Sequence, residues 1–178
     1  MTLCKLVIRS FLVPYCPKCS APLALVDGVY SCCNYYCSCK AVDKRNIALK
    51  YPYFRYARPQ RLLHILKLID QGVCDCREIN KKLPERLRSR NPRTISNDKL
   101  SLMALGLLRD NGSEPTAFGY MVIAKPYPEA LRLMLVSART LVGWLYPYSH
   151  VPEIQHTVSN LEMFIKRCSE ELSRYGTV

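Results

Sequence analysis

Ten cysteines occur in this chain of 178 residues, and six of them fall between Cys16 and Cys39. Cys16-Pro17-Lys18-Cys19 is a Cys-x-x-Cys knuckle, a turn tight enough to aim two thiolates at one point. A tetrahedral metal site then needs a second pair from farther along the chain. Asp27-Gly28 is a strong two-residue hairpin signal, and the strand-like Val29-Tyr30-Ser31 follows it. A return at that point carries the cluster Cys32-Cys33-Asn34-Tyr35-Tyr36-Cys37-Ser38-Cys39 back toward the knuckle. The ligand set read from this pattern is Cys16, Cys19, Cys32 and Cys37 around Zn2+, with Cys33 and Cys39 as alternatives for the second pair. Thiolates in every coordination position leave no place for a catalytic water, so the expected metal is structural. It would supply the folding energy that a segment of about 30 residues cannot draw from its own core. The competing reading is a pair of disulfides, which intracellular proteins of hyperthermophiles do carry.

A second chemistry lies in the cations. Lys and Arg number 26 against 14 Asp and Glu, a net charge of +12 that makes a polyanion the first partner to consider. The excess is not spread evenly. Residues 1–60 hold nine basic and two acidic side chains, residues 61–126 hold twelve and seven, and residues 127–178 hold five of each. The last third is therefore expected to serve something other than an anion. Within the middle third, Lys81, Lys82, Arg86, Arg88 and Arg90 precede Asn91-Pro92, a helix-start signature of N-cap followed by proline in the first turn. Arg93, Thr94, Ser96 and Asn97 then occupy the leading turns of that helix. Arg suits guanine, Asn suits adenine and hydroxyls suit either, so these four are the candidates for reading base edges. The five upstream cations would hold phosphates without reading sequence. Arg55, Arg58 and Arg61, beside Tyr53 and Tyr56, are candidates to extend the footprint or to stack on unpaired bases.

The elements that must position these groups follow from periodicity. Gln60–Asp70 has a broad apolar helical face ended by Gly72, and Asp75 caps a short helix over Cys76–Leu83 that Pro84 stops. The helix opened by Asn91 carries Ile95, Leu100, Leu102, Met103 and Leu105 and closes at Gly106. Leu107–Arg109 and Thr116–Ile123 are expected as two strands of a hairpin around Asn111-Gly112. Pro128–Tyr146, apolar nearly all round, and Pro152–Tyr175, with one apolar stripe, are expected as helices. They either complete the monomer's core or make a homodimer. The expected fold class is α+β, mainly α, with a zinc-ribbon-like domain at 1–50, a winged helix-turn-helix domain at 51–126 and a C-terminal helical extension at 127–178.

Two resemblances sharpen this. From CPKC through DGVYSC, over about residues 14–42, the chain resembles the zinc ribbons of archaeal and eukaryotic transcription proteins, although Tyr35 stands where a second Cys-x-x-Cys would close. Over about residues 59–124 it resembles winged helix-turn-helix regulators of archaea or archaeal viruses. Thr94-Ile95-Ser96-Asn97-Asp98-Lys99, the exit Leu102-Met103-Ala104-Leu105-Gly106-Leu107-Leu108 and the step Thr116-Ala117-Phe118-Gly119 carry that likeness. Lys99 stands where the family usually buries a Leu, so Leu100 is expected to take that role. The resemblance implies a sequence-specific, double-stranded DNA-binding transcription regulator. The alternative is an adaptor that docks on RNA polymerase, and a third reading is a single-strand or RNA binder. No phosphate-cradling glycine loop or acid–base pair suggests an enzyme. Arg132 and Arg139 interrupt the most apolar stretch and Lys5 and Arg9 the N-terminal one, so the reading is a cytoplasmic chain with neither membrane span nor signal peptide. Cys4, Cys74, Cys76 and Cys168, and His64, His150 and His156, read as packing or surface residues.

Overall fold

The computed structural model describes residues 13–15, 23–26, 29–32, 48–50, 54–109, 112–150 and 152–176. Contacts divide the chain into two compact units, Met1–Tyr51 and Pro52–Val178. The first contains the strands β1 (Val13–Tyr15), β2 (Leu23–Val26), β3 (Val29–Cys32) and β4 (Ala48–Lys50). β1 pairs antiparallel with β4, and β2 with β3. Val26 stands opposite Val29, so β2 and β3 are joined across Asp27-Gly28 as the turn signal requires.

The second unit is mainly α. Its helices are α1 (Pro59–Asp70), α2 (Cys76–Lys82), α3 (Pro92–Ala104), α4 (Ala117–Ile123), α5 (Tyr127–Leu145) and α6 (Pro152–Ser173). Short 3-10 turns precede α1 (Phe54–Tyr56), precede α3 (Glu85–Leu87) and follow α5 (Tyr146–Tyr148). The start and stop chemistry is local. Asp75 accepts the N–H groups of Arg77 and Glu78 at 2.9 Å each, and Asn91 accepts that of Arg93 at 2.9 Å. Gly72 and Gly106, at φ +83 and +70, end α1 and α3 in the left-handed region. Leu62, Ile65, Leu66 and Ile69 of α1 are buried together with Ile79 and Leu83 and with Ile95, Leu102 and Leu105. Fully burying each such side chain contributes about 1.5–3 kcal/mol.

Two expectations change. Thr116–Ile123 is a helix rather than a strand: the Thr116 hydroxyl caps it by accepting the Gly119 N–H at 3.0 Å. Gly119 lies against the backbone of Leu107, where a Cβ would run into the carbonyl oxygen. A short apolar run does not distinguish strand from helix by period alone, and here the cap decides. What remains of the hairpin is one bridge, Leu108 to Pro115, with the Arg109 N–H on the Glu114 carbonyl at 2.9 Å.

The second change concerns residues 127–178. α5 buries Ala130, Leu131, Met134, Leu135, Ala138, Leu141 and Leu145, whereas Val136 and Trp144 are 59% and 65% exposed. It is thus buried on one face rather than on most sides. α6 buries Ile154, Val158, Leu161, Phe164 and Cys168. Phe164 meets Phe54 at 5.7 Å between ring centroids, and Arg167 donates to the carbonyls of Ala57 (2.9 Å) and Arg55. Ser137 donates to the Leu105 carbonyl at 2.7 Å. The two C-terminal helices therefore close the second unit's own core. Among the described residues, no helix is long and apolar enough to cross a membrane.

Candidate nucleic-acid interface

The leading end of α3 is built by the chain before it. Asn80 of α2 grips Ser89 twice, donating to its carbonyl and accepting its N–H, both at 2.9 Å. The Ser89 hydroxyl in turn donates to Thr94 at 2.9 Å and accepts the Asn91 N–H at 3.2 Å. Arg88 is tied back by Nε to the Leu83 carbonyl at 2.9 Å. This chain of bonds ties α2, the connector and the first turn of α3 to one another. Sequence reasoning had no place for Asn80 or Ser89; their polar pairing across nine positions leaves no periodic signal.

From that base, Arg90, Asn91 and Arg93 are exposed, and Thr94, Ser96 and Asn97 are half-buried. The first turn of α3 contains no acidic side chain. Lys81 and Lys82 are exposed at the end of α2, where cations suit the helix dipole. Lys82 pairs with Glu78 at 3.1 Å, but both are about half exposed, so the pair contributes little and competes weakly with another anion. Thr94 is already bonded to Ser89, which leaves Arg93 as the exposed member of the proposed base-reading set. Arg86 differs from its neighbours: it lines a cleft with Arg58, Gln60 and Arg174, apart from the Lys81, Arg88, Arg90 and Arg93 group.

Arg61 is not part of any footprint. It is 5% exposed and pairs with Asp98, itself 2% exposed, through Nε at 2.5 Å and Nη2 at 3.2 Å. The same guanidinium donates to the Tyr56 carbonyl at 2.9 Å. This pair pins the middle of α3 to α1. Burial pushes the Asp98 carboxyl up to about 6, and the Arg61 hydrogen bond and charge only partly offset it. The signal was present, since Asp98 falls in register with Ile95, Leu102 and Leu105 on the apolar stripe. Leu100 is buried, while Lys99 is half-buried and donates to the Cys74 carbonyl at 3.0 Å. Arg55 lies over the exposed Tyr56 ring at 5.5 Å, and Tyr53 lies outside the described residues.

The remaining titratable groups behave as packed residues. Burial, then Lys67 and Arg86, lowers the His64 pKa, and burial raises the Cys76 thiol. Cys168 is pushed up to about 12 by burial and by Glu171. Burial and the Glu171 carboxylate, which accepts its hydroxyl at 2.7 Å, raise Tyr127. Of the expected zinc ligands, Cys16, Cys19 and Cys37 lie outside the described residues, as do Cys33, Cys39, and Asp110 and Asn111 at the expected hairpin turn. Cys32 ends β3 opposite Leu23. Among the described residues no group of three His, Cys, Asp or Glu side chains could hold a metal ion. Compared with protein-family models, with curated proteins and with solved structures, the chain has no match.

Proposed function

We propose that this chain is a sequence-specific double-stranded DNA-binding transcription regulator of the winged helix-turn-helix kind, of archaeal or archaeal-virus type, with a structural Zn2+ held by a ribbon-like first unit. The observation that carries the reading is the leading end of α3: capped, free of acids, with Arg90 and Arg93 exposed beside Lys81, Lys82 and Arg88. A helix end of this kind fits the major groove, where Arg93 would take guanine by its two acceptors, and Ser96 and Asn97 would follow. Lys81, Lys82, Arg88 and Arg90 would lie along the backbone. The wing reduced to one bridge favours groove reading by α3 over wing contacts. Zinc would be bound by Cys16, Cys19, Cys32 and Cys37, with Cys33 and Cys39 as alternatives for the second pair. Homodimerisation through the C-terminal helices would have to use the outward stripe of α5, because the inward faces are filled.

The alternative, an adaptor on RNA polymerase, has its own support in the exposed Tyr120, Met121, Val136, Trp144 and Tyr146, an apolar display that DNA binding does not need. A random-oligonucleotide selection followed by a salt titration separates the two. The regulator reading expects affinity to fall steeply with salt, and Arg93→Ala to lose about 1–3 kcal/mol of preference at one base pair. Duplex binding that is absent, or indifferent to salt and to Arg93→Ala, would sink the regulator reading and leave the adaptor.

A further inference from the structure

We infer that the cleft among Arg58, Arg86 and Arg174 is a phosphate-binding site, and that it takes a phosphodiester of the same duplex that α3 reads; this rests on the DNA-binding reading above. The cleft encloses about 460 Å³, and its three open guanidiniums come from three places: the cap of α1, the 3-10 turn before α3, and the end of α6. Among the described residues none of the three side chains makes a hydrogen bond or ion pair. Two carboxylates share the cleft, yet both are turned to other partners. Glu171 accepts the Tyr127 hydroxyl at 2.7 Å, and Glu170 lies 4.0 Å from Lys166. Arg167, on the same wall, is held by the carbonyls of Ala57 and Arg55 and so braces α6 against the approach to α1.

The chemistry asks for an oxyanion. A guanidinium presents a fork of N–H donors matched to phosphate, and three such side chains line the one cleft. α1 has no capping side chain, and Pro59 has no N–H, so the Gln60 and Arg61 amides of the first turn add to the positive potential. The influence of Arg86 is already felt at His64, whose imidazole is held lower partly by that charge. Chain reach selects the source of the phosphate. Arg86 precedes Asn91 by five residues, so the cleft lies at most about 18 Å from the tip of α3. That limit is shorter than one helical turn of DNA, about 34 Å. A phosphate flanking the groove contacted by α3 falls within it. The neutral last third of the sequence thus contributes a cation to an anion site, contrary to its net charge.

The test is fluorescence anisotropy with a 30-base-pair duplex across a salt series, comparing the full chain with the combined Arg58→Ala, Arg86→Ala and Arg174→Ala variant. Loss of one phosphate contact should weaken binding on the order of tenfold and make the log affinity against log salt slope shallower by about 0.9. The selected base sequence should stay the same, and replacing the three by Lys should restore the slope. Arg174→Glu alone, at the exposed end of α6, should shift the slope in the same direction and guards against a misfolded triple variant. An unchanged slope in a wild-type chain that binds duplex would overturn this inference and leave the DNA-binding reading standing. Calorimetry with inorganic phosphate completes it: phosphate binding lost in the variant while the duplex slope is unchanged would assign the cleft to a free anion instead. A wild-type chain that binds no duplex removes both proposals.

Discussion

In the first unit the strands have three or four residues each, in two antiparallel pairs; in the second, α5 and α6 run to 19 and 22 residues. Isolated two-stranded pairs of that length are marginal in water, whereas long amphipathic helices bury whole stripes of Leu, Ile and Phe. The second unit needs nothing beyond its side chains to hold together. The first carries six clustered thiols, and cross-linking through the proposed metal would be the physical substitute for a larger core. The difference also divides the labour of charge. Arg90 and Arg93 at the leading end of α3 are exposed, while Arg61, the buried cation among the described residues, is neutralised by Asp98 within the core.

Three measurements break or sharpen this contrast. The largest effect is expected from the metal. Removing zinc with a chelator, or substituting Cys32→Ser, should unfold the first unit, since structural zinc contributes about 10–16 kcal/mol in small metal-dependent domains. The second unit should keep its own cooperative transition; a melt in which both units are indifferent to chelation would erase the distinction.

Next in size is the buried ion pair. Asp98→Ala leaves Arg61 charged and buried with only the Tyr56 carbonyl as partner, and should cost about 3–5 kcal/mol in urea denaturation. Replacing both, Arg61→Met with Asp98→Leu, should recover most of that loss, because an apolar pair needs no desolvation. A single-variant loss below about 1 kcal/mol would mean that the pair does not pin α3.

The smallest effect is the pH dependence of that pair. The folded Asp98 carboxyl, at about 6, lies above its unfolded value of about 3.9. The folded chain therefore binds the extra proton. This group's contribution is complete below pH 4 and is lost as the pH rises through 6, about 3 kcal/mol in all. The thermal midpoint of the wild type should fall across that window more than that of Asp98→Asn, and parallel curves would refute the assignment.

Much of the second unit was legible because its signals are local. Asp75, Asn91-Pro92, Gly72 and Gly106 mark helix ends through backbone hydrogen bonds within a turn of themselves, and α1, α2 and α3 start and stop within one residue or so of where those marks put them. Thr116-Ala117-Phe118-Gly119 misled because the same residues suit a strand after a turn; the Thr116 hydroxyl capping the Gly119 N–H starts a helix there instead, with Gly119 against the Leu107 backbone. The α5 face was over-read for a similar reason: hydropathy counts apolar residues but not which neighbours exist to cover them.

By itself the sequence determined the positions of the caps and stops, the apolar faces of the helices, the excess of positive charge and the spacing of the thiols, because each is written in residues close together along the chain. Only the tertiary structure decided that Arg61 is neutralised inside, that Asn80 and Ser89 set the tip of α3, and that Arg86 shares a cleft with Arg58 and Arg174. Those outcomes depend on which side chains meet across gaps of tens of residues, and on which of them water is excluded from; neither is a property of any local stretch.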